Sequence, residues 1–185
     1  MRAIDHVLSG ATIIETTPHG DDRGSFTETY QRDKFAALGI EDVFVQDNES
    51  VSAKAGTIRG LHMQVAPSVQ GKLVRCLRGE IVDVFVDLRA DSPTYRRHGS
   101  VTLRGDDALL LWIPGGFAHG FCTLEADTVV SYKVTSLYDP AAERSIRWDD
   151  PDLAIDWPIA PSEAVLSAKD AAAPALADIE AELVW

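Results

Sequence analysis

Two histidines stand in strand-like surroundings where a proton-transfer group would have work to do: His62 in TIRGLHMQ (Thr57–Gln64) and His119 in WIPGGFAHGF. An imidazole, with an ordinary pKa of about 6.5, can take up or release a proton near neutral pH. His62 lies two residues from Gly60, which leaves room for a ligand, and His119 follows a Pro-Gly-Gly turn between aromatic residues. Nearby in type are a cation that opens an apolar strand, Lys72 in QGKLVR, the phenols Tyr132 and Tyr138 in VSYKVTSLY, and the carboxylate Asp170 in LSAKDAA. Each also has a plain structural account: a satisfied core or turn histidine, amphipathic strand chemistry for the lysine and tyrosines, and a helix-capping pattern for Ser167 followed three residues later by an acid. In a regular strand, Arg59, Leu61 and Met63 share one face and Gly60, His62 and Gln64 the other. Arg59 and His62 are therefore expected to point in opposite directions.

The two histidines lack the close His-x-His pair that small β-barrels use for metals, so no metal site is expected from His62 and His119 alone. GxGxxG, P-loop and GxSxG motifs are absent, and with them the signatures of dinucleotide, nucleoside-triphosphate and serine-nucleophile chemistry.

The elements that must hold these residues are short strands broken by Gly, Pro and Asp. GATIIET and SFTETY flank the turn-like PHGDDRG, and QRDKFAALG reads as a helix closed by Gly39. From Val43 to Val134 strands follow one another, with hairpin signals at RGE and RGDDA. In EIVDVFVDLR, Val82, Val84, Val86 and Leu88 fall on one face and Asp83, Phe85 and Asp87 on the other. The end of the chain, SAKDAAAPALADIEAEL, favours helix by its Ala and Glu content despite Pro174. The expected fold is mainly β: an antiparallel sandwich or jelly-roll barrel with short N- and C-terminal helices, core strands over about 11–135 and a helical segment over about 162–183.

A chain of 185 residues with 45% hydrophobic and 25% charged residues suits one globular domain, 1–185. The net charge of -12 disfavours a nucleic-acid surface, which needs clustered Lys and Arg. Cys76 and Cys122 both lie in apolar runs and read as reduced, buried thiols. With no apolar run of about 18 residues and no signal-like N-terminus, no membrane contact is expected and the cytoplasm is the default location.

Taken together, GDDRGSFTETY, VQDNESVS, GTIRGLHMQ, QGKLVRCLRGEIVDVFVDLR, DSPTY, WIPGGFAHGF, YKVTSLYDP, IRWDDPDLAIDWP and LSAKDAAAP closely resemble the dTDP-4-dehydrorhamnose 3,5-epimerase family, in order and spacing from about Asp5 to Leu176. The resemblance implies a cupin-like jelly roll, a homodimer with shared sheet strands, and no metal or organic cofactor. The implied substrate is dTDP-4-dehydro-6-deoxy-D-glucose, a dTDP-4-keto-6-deoxy sugar whose ketone acidifies the protons on C3 and C5. By the same resemblance His62 is the base, Asp170 the carboxylate that orients it, Tyr132 the acid that returns the proton, and Lys72 the cation at the enolate oxygen. His119, partnered by Asp83, matches a position beside that oxygen. Arg23 and Arg59 match diphosphate-binding positions; Glu28, Gln46, Asn48, Glu143 and Lys169 match positions that contact sugar or nucleotide; and Tyr138 matches an aromatic wall.

One position departs from the family pattern: His19 stands before GDDRG, where an apolar residue is usual. Three alternatives stay open, of which His19 bears on the first. They are an epimerase that inverts only C3 or only C5 of a related sugar, a metal-dependent cupin enzyme, and a non-catalytic cupin-type sugar-binding module, which the fold alone permits.

Overall fold

The computed structural model describes residues 1–185. Its strands are β1 (Arg2–Leu8), β2 (Ala11–Glu15), β3 (Pro18–Asp21), β4 (Gly24–Thr27), β5 (Gln46–Ser52), β6 (Ile58–Gln64) and β7 (Lys72–Arg78). They continue with β8 (Glu80–Asp87), β9 (His98–Arg104), β10 (Leu109–Ile113), β11 (Phe117–Thr123), β12 (Thr128–Val134) and β13 (Glu143–Ser145). Three short helices complete the chain: α1 (Arg32–Ala36), α2 (Ala168–Ala171) and α3 (Leu176–Ile179).

Two antiparallel sheets face each other, one in the order β1-β2-β10-β7-β12-β5 and the other β13-β6-β11-β8-β9. The strands β3 and β4 pair only with each other. The expected mainly β, jelly-roll-like architecture is thus the observed one, and the sheets extend past both ends of the expected core through β1 and β13.

Strand alternation sorts the apolar residues into three layers. Val74, Cys76, Ile81, Phe85, Leu111, Phe117, Phe121 and Val130 meet between the sheets. The outer face of the five-stranded sheet, with Val84, Val86, Leu88 and Ala118, is covered by Trp148, Leu153, Trp157, Leu176 and Ile179 from the end of the chain. The outer face of the six-stranded sheet is covered by Phe35 of α1 and by Ile40, which pack with Ile14, Leu73, Leu110 and Trp112. The two faces read from EIVDVFVDLR are therefore both buried, each in a different layer.

The helices are shorter than composition suggests. Gln31 caps α1 by accepting from the Lys34 N–H, and the α-helix ends at Ala36, before the left-handed Gly39. The C-terminal segment is a correction to the expected helix. It breaks at Pro174 into α2 and α3, because proline has no N–H to donate and clashes with the preceding turn. The PHGDDRG stretch, expected as a turn, contributes β3 and the tip of an exposed hairpin.

Candidate active site

The interior between the sheets is apolar at one end and opens at the other into a cavity of about 640 Å³, within the size range of small-molecule sites. His62, His119, Lys72, Tyr132, Arg59, Gln46, Asn48, Tyr138, Glu143, Lys169 and Asp170 line it, together with Ser50, Gln64, Gln70, Phe121 and Ser167. The five-stranded sheet supplies His62 from β6 and His119 from β11, which are directly paired across the strands. Lys72 begins β7 in the opposite sheet, beside Val134, and Tyr132 is on β12 next to Asn48 of β5. Base-type and acid-type side chains thus come from opposite walls.

Arg59 and His62 both line this cavity, against the expectation from regular alternation. The cause is a bulge: His62 pairs with His119 and Arg59 with Phe121, so three steps along β6 match two along β11. The extra residue re-phases the strand and turns both side chains inward, while Ile58, Leu61 and Met63 go to the outer core. Glycine is required there. Gly60 has φ +127, and a Cβ on it would lie 2.5 Å from the Cα of Gly120 and 2.7 Å from the carbonyl oxygen of His119.

Each histidine has a carboxylate. His62 Nε2 lies 2.6 Å from Asp170 Oδ1, and Ser167 Oγ donates to the other oxygen of Asp170 at 2.9 Å. Ser167 also accepts from the Asp170 N–H at the start of α2, so the helix-capping account and the partnership with His62 are both correct. Burial raises the affinity of the Asp170 carboxyl for its proton; the hydrogen bond and charge of His62, with Ser167 and Lys169, outweigh it and hold the pKa below the usual range. The Asp170 side chain is 5% exposed and that of His62 32%, so the imidazole is wetted on its cavity side only. Because Nε2 faces Asp170, Nδ1 is the ring nitrogen left without that partner.

His119 Nε2 lies 2.8 Å from Asp83 Oδ1, and both side chains are buried. Burial pushes the Asp83 carboxyl up, against the lowering by His119 and Lys72. Burial also pulls the Lys72 ammonium down to about 8, with Glu143 and Asp83 opposing the shift. The Tyr132 phenol is raised by burial, partly offset by Arg59, so it stays protonated at neutral pH. At the mouth, Glu143 accepts from the Tyr138 hydroxyl at 2.9 Å and pairs with Lys169 at 2.6 Å.

Arg23 and Glu28 do not line the cavity of their own chain. Arg23 is on the β3–β4 hairpin, paired with Asp21 and 90% exposed, and Glu28 is paired with Lys34. The hairpin also carries His19, and Phe26, which is 71% exposed. Ser50 and Phe121 were not singled out from the sequence, and Ser167 was read there only as a helix cap and Gln64 only as a neighbour of His62 on its strand face. Period-two continuation from Gln46 and Asn48 would have found Ser50, whereas the bond from Ser167 to Asp170 needed the folded capping turn. No group of three or more His, Cys, Asp or Glu side chains is arranged to hold a metal ion. No helix is long and apolar enough to cross a membrane.

A family model described as dTDP-4-dehydrorhamnose 3,5-epimerase matches residues 5–178. A dTDP-4-dehydrorhamnose 3,5-epimerase of Sinorhizobium fredii is 49% identical over 173 residues, covering 93% of this chain and 88% of the relative. Among solved structures, the dTDP-6-deoxy-D-glucose-3,5-epimerase of Legionella pneumophila in complex with dTDP-4-keto-L-rhamnose superposes with a TM-score of 0.93 at 47% identity, covering 99% of this chain and 96% of that one. A 3'-monoepimerase from Streptomyces bikiniensis in complex with dTDP-quinovose gives a TM-score of 0.86 at 35% identity, covering 95% and 88%. The chain belongs to the dTDP-4-dehydrorhamnose 3,5-epimerase family.

Proposed function

We propose that this chain inverts C3 and C5 of dTDP-4-dehydro-6-deoxy-D-glucose to give dTDP-4-dehydro-L-rhamnose. The C4 ketone makes both neighbouring C–H groups acidic. In each half-reaction Nδ1 of His62 takes the proton from carbon, the C–H electron pair moves into the carbon–carbon bond, and the carbonyl becomes an enolate. Asp170 stabilises the imidazolium so formed, as the acid does in a Ser-His-Asp triad. The Lys72 ammonium, with His119 beside it, stabilises the enolate oxygen in a site largely shielded from water, where such charge pairs are strongest. Tyr132 then delivers a proton to the opposite face of the carbon, which inverts it. No oxidation state changes; before the second half-reaction the His62 imidazolium gives its proton to solvent and the Tyr132 phenolate takes one from it, so both side chains begin again in their first protonation states.

The observation that carries this reading is the opposition of His62 and its Asp170 on one wall to Tyr132 and Lys72 on the other, across one cavity. A sugar-binding module has no need of a matched base and acid. Turnover in deuterated water tests it: label is expected at both C3 and C5, and label at one carbon only would replace it with the mono-epimerase reading. A His62→Ala variant is expected to lose exchange and keep dTDP binding; unaltered turnover would reject the assignment.

The chain is further read as one domain that works as a homodimer. The β3–β4 hairpin, with Arg23 and the exposed Phe26, lies away from its own cavity. Arg23 and Glu28 would then serve the nucleotide end of the cavity in a second copy, with Arg59 gripping the diphosphate from within its own chain.

A further inference from the structure

Tyr138 lines the cavity from the segment between β12 and β13, which belongs to neither sheet, and it is more than half exposed. No strand ladder fixes a ring placed there; a side chain does. Gln64, the last residue of β6, is buried. Its Oε1 accepts from the Asp139 N–H at 2.8 Å and its Nε2 donates to the Leu137 carbonyl at 3.1 Å, so the two bonds bracket Tyr138. One residue of a neighbouring parallel strand would make the same pair of bonds with its backbone; here a side-chain amide takes its place. The second Nε2 hydrogen goes to the Ser68 carbonyl at 2.8 Å. Both amide hydrogens are then used, so Gln64 lines the cavity without a donor left for a substrate.

The hydroxyl end of Tyr138 is fixed from the same row of the sheet. Gln64 is paired across the ladder with Glu143 of β13, and Glu143 accepts from the Tyr138 hydroxyl at 2.9 Å. Backbone and ring tip are thus both held from one strand pair, a two-residue step of about 7 Å along β6 from His62. The rest of the segment is tied down by Ser68 Oγ, donating to Asp139 Oδ2 at 2.8 Å, and by Gln70 Nε2, donating to the Ser136 carbonyl at 2.7 Å. We propose that Gln64 is a positioning residue of this site, whose side-chain amide fixes Tyr138 relative to His62 as the wall against which the substrate packs. This rests on the reading of the cavity as a nucleotide-sugar site and adds to it the residue that couples the strand of the base to the aromatic wall.

Steady-state turnover of dTDP-4-dehydro-6-deoxy-D-glucose by the wild-type protein, Gln64→Leu, Tyr138→Ala and the double variant, with thermal melts of each, tests the assignment. Gln64→Leu is expected to raise KM about tenfold, the worth of one to two lost neutral hydrogen bonds. It should leave kcat within about threefold, because wall contacts serve bound substrate and transition state alike. In the Tyr138→Ala background the same change should move KM by less than about twofold, since the two residues act through one contact. Gln64→Glu is the second variant. It keeps the length of the side chain and the bond from the Asp139 N–H, but turns a carboxylate oxygen toward the Leu137 and Ser68 carbonyls. It should show the same rise in KM and the same dependence on Tyr138. An unchanged KM, an equal rise with and without Tyr138, or loss of the fold in both variants overturns the proposal and leaves the epimerase reading intact. So does a fall in kcat at constant KM, which would place the effect on His62 through β6. Absence of turnover by the wild-type protein overturns both.

Discussion

Replacing Asp170 by Asn tests the proposed role of His62 as base at its most sensitive point. The His62–Asp170 contact is 2.6 Å and the carboxylate side is nearly dry, so its loss removes a charge-assisted hydrogen bond worth about 1.5–3 kcal/mol from the imidazolium. That alone lowers the rate of proton abstraction roughly ten- to hundredfold. A second effect adds to it. Ser167 Oγ donates to the far oxygen of Asp170, so the asparagine oxygen is drawn to Ser167 and its NH2 turned toward His62. An NH2 facing Nε2 demands a lone pair there and moves the imidazole proton to Nδ1, the nitrogen that must be free. Wrong-tautomer substitutions of this kind cost about 10⁴ in serine hydrolases, so a fall in kcat of about 10³–10⁴ is expected here. The assay is loss of the C3 and C5 proton signals in deuterated water, followed by NMR, with dTDP affinity measured in parallel and expected to be unchanged. A fall of less than about tenfold would mean that Asp170 is only a helix-capping neighbour and that the base is elsewhere. Ser167→Ala is the companion variant: it removes the cap, costs about 1 kcal/mol of stability, and should slow exchange by no more than about tenfold.

Lys72 should set the alkaline limb of kcat/KM. Its pKa in the fold is about 8, and kcat/KM, which reports the free enzyme, should fall about tenfold per pH unit above that; a plateau to pH 9.5 would refute it. The same burial acts oppositely on stability. Below about pH 8 folded and unfolded chains both carry the proton and the full cost of the buried ammonium, roughly 3 kcal/mol, is present; it is relieved as pH rises from about 8 to the ordinary 10.5. Lys72→Met is thus expected to lose about 10²–10³ in kcat and to melt higher at pH 7, and a lower melting temperature would contradict the burial argument. Gly60→Ala should destabilise the fold by more than about 3 kcal/mol, because its Cβ would meet backbone at 2.5 Å; a variant that melts like wild type would show that the bulge is not needed. If the hairpin serves a second subunit, mixing Arg23→Ala with His62→Ala protein should recover about a quarter of wild-type activity, from one intact site in half of the dimers, and no recovery would place Arg23 on its own chain's cavity.

Most of the strands were legible because they are buried on at least one face, and burial on a strand writes a period of two into the sequence. β8 is the clearest case, its valines and its Asp83–Phe85 face entering different cores. β1, β3 and β13 were not legible. In β1 most residues are exposed and in β3 all are, and β13 is only three residues long, so little burial selects their pattern. The C-terminal helix was over-read because helix propensity is a sum over residues, whereas one proline ends a helix regardless of that sum.

The residue types of the site were visible, but their convergence was not, since Asp170 is 108 positions from His62 and no local period connects them. The apparent conflict between Arg59 and His62 shows what kind of information was missing. Alternation is a rule about an unbroken ladder, and it put the two side chains on opposite faces of the strand. Both Gly60 and Gly120 were in the sequence, each weakening a strand if taken alone. Only across the ladder do they meet, where a Cβ on Gly120 would lie 2.8 Å from the Arg59 carbonyl oxygen and one on Gly60 would strike Gly120 in return. The two glycines together allow the backbones to close over the extra residue of the bulge, and that residue turns Arg59 and His62 into one cavity. The bulge is therefore a functional element: exchange at C3 and C5 should fail in any variant that straightens β6, even where His62 and Arg59 are both retained.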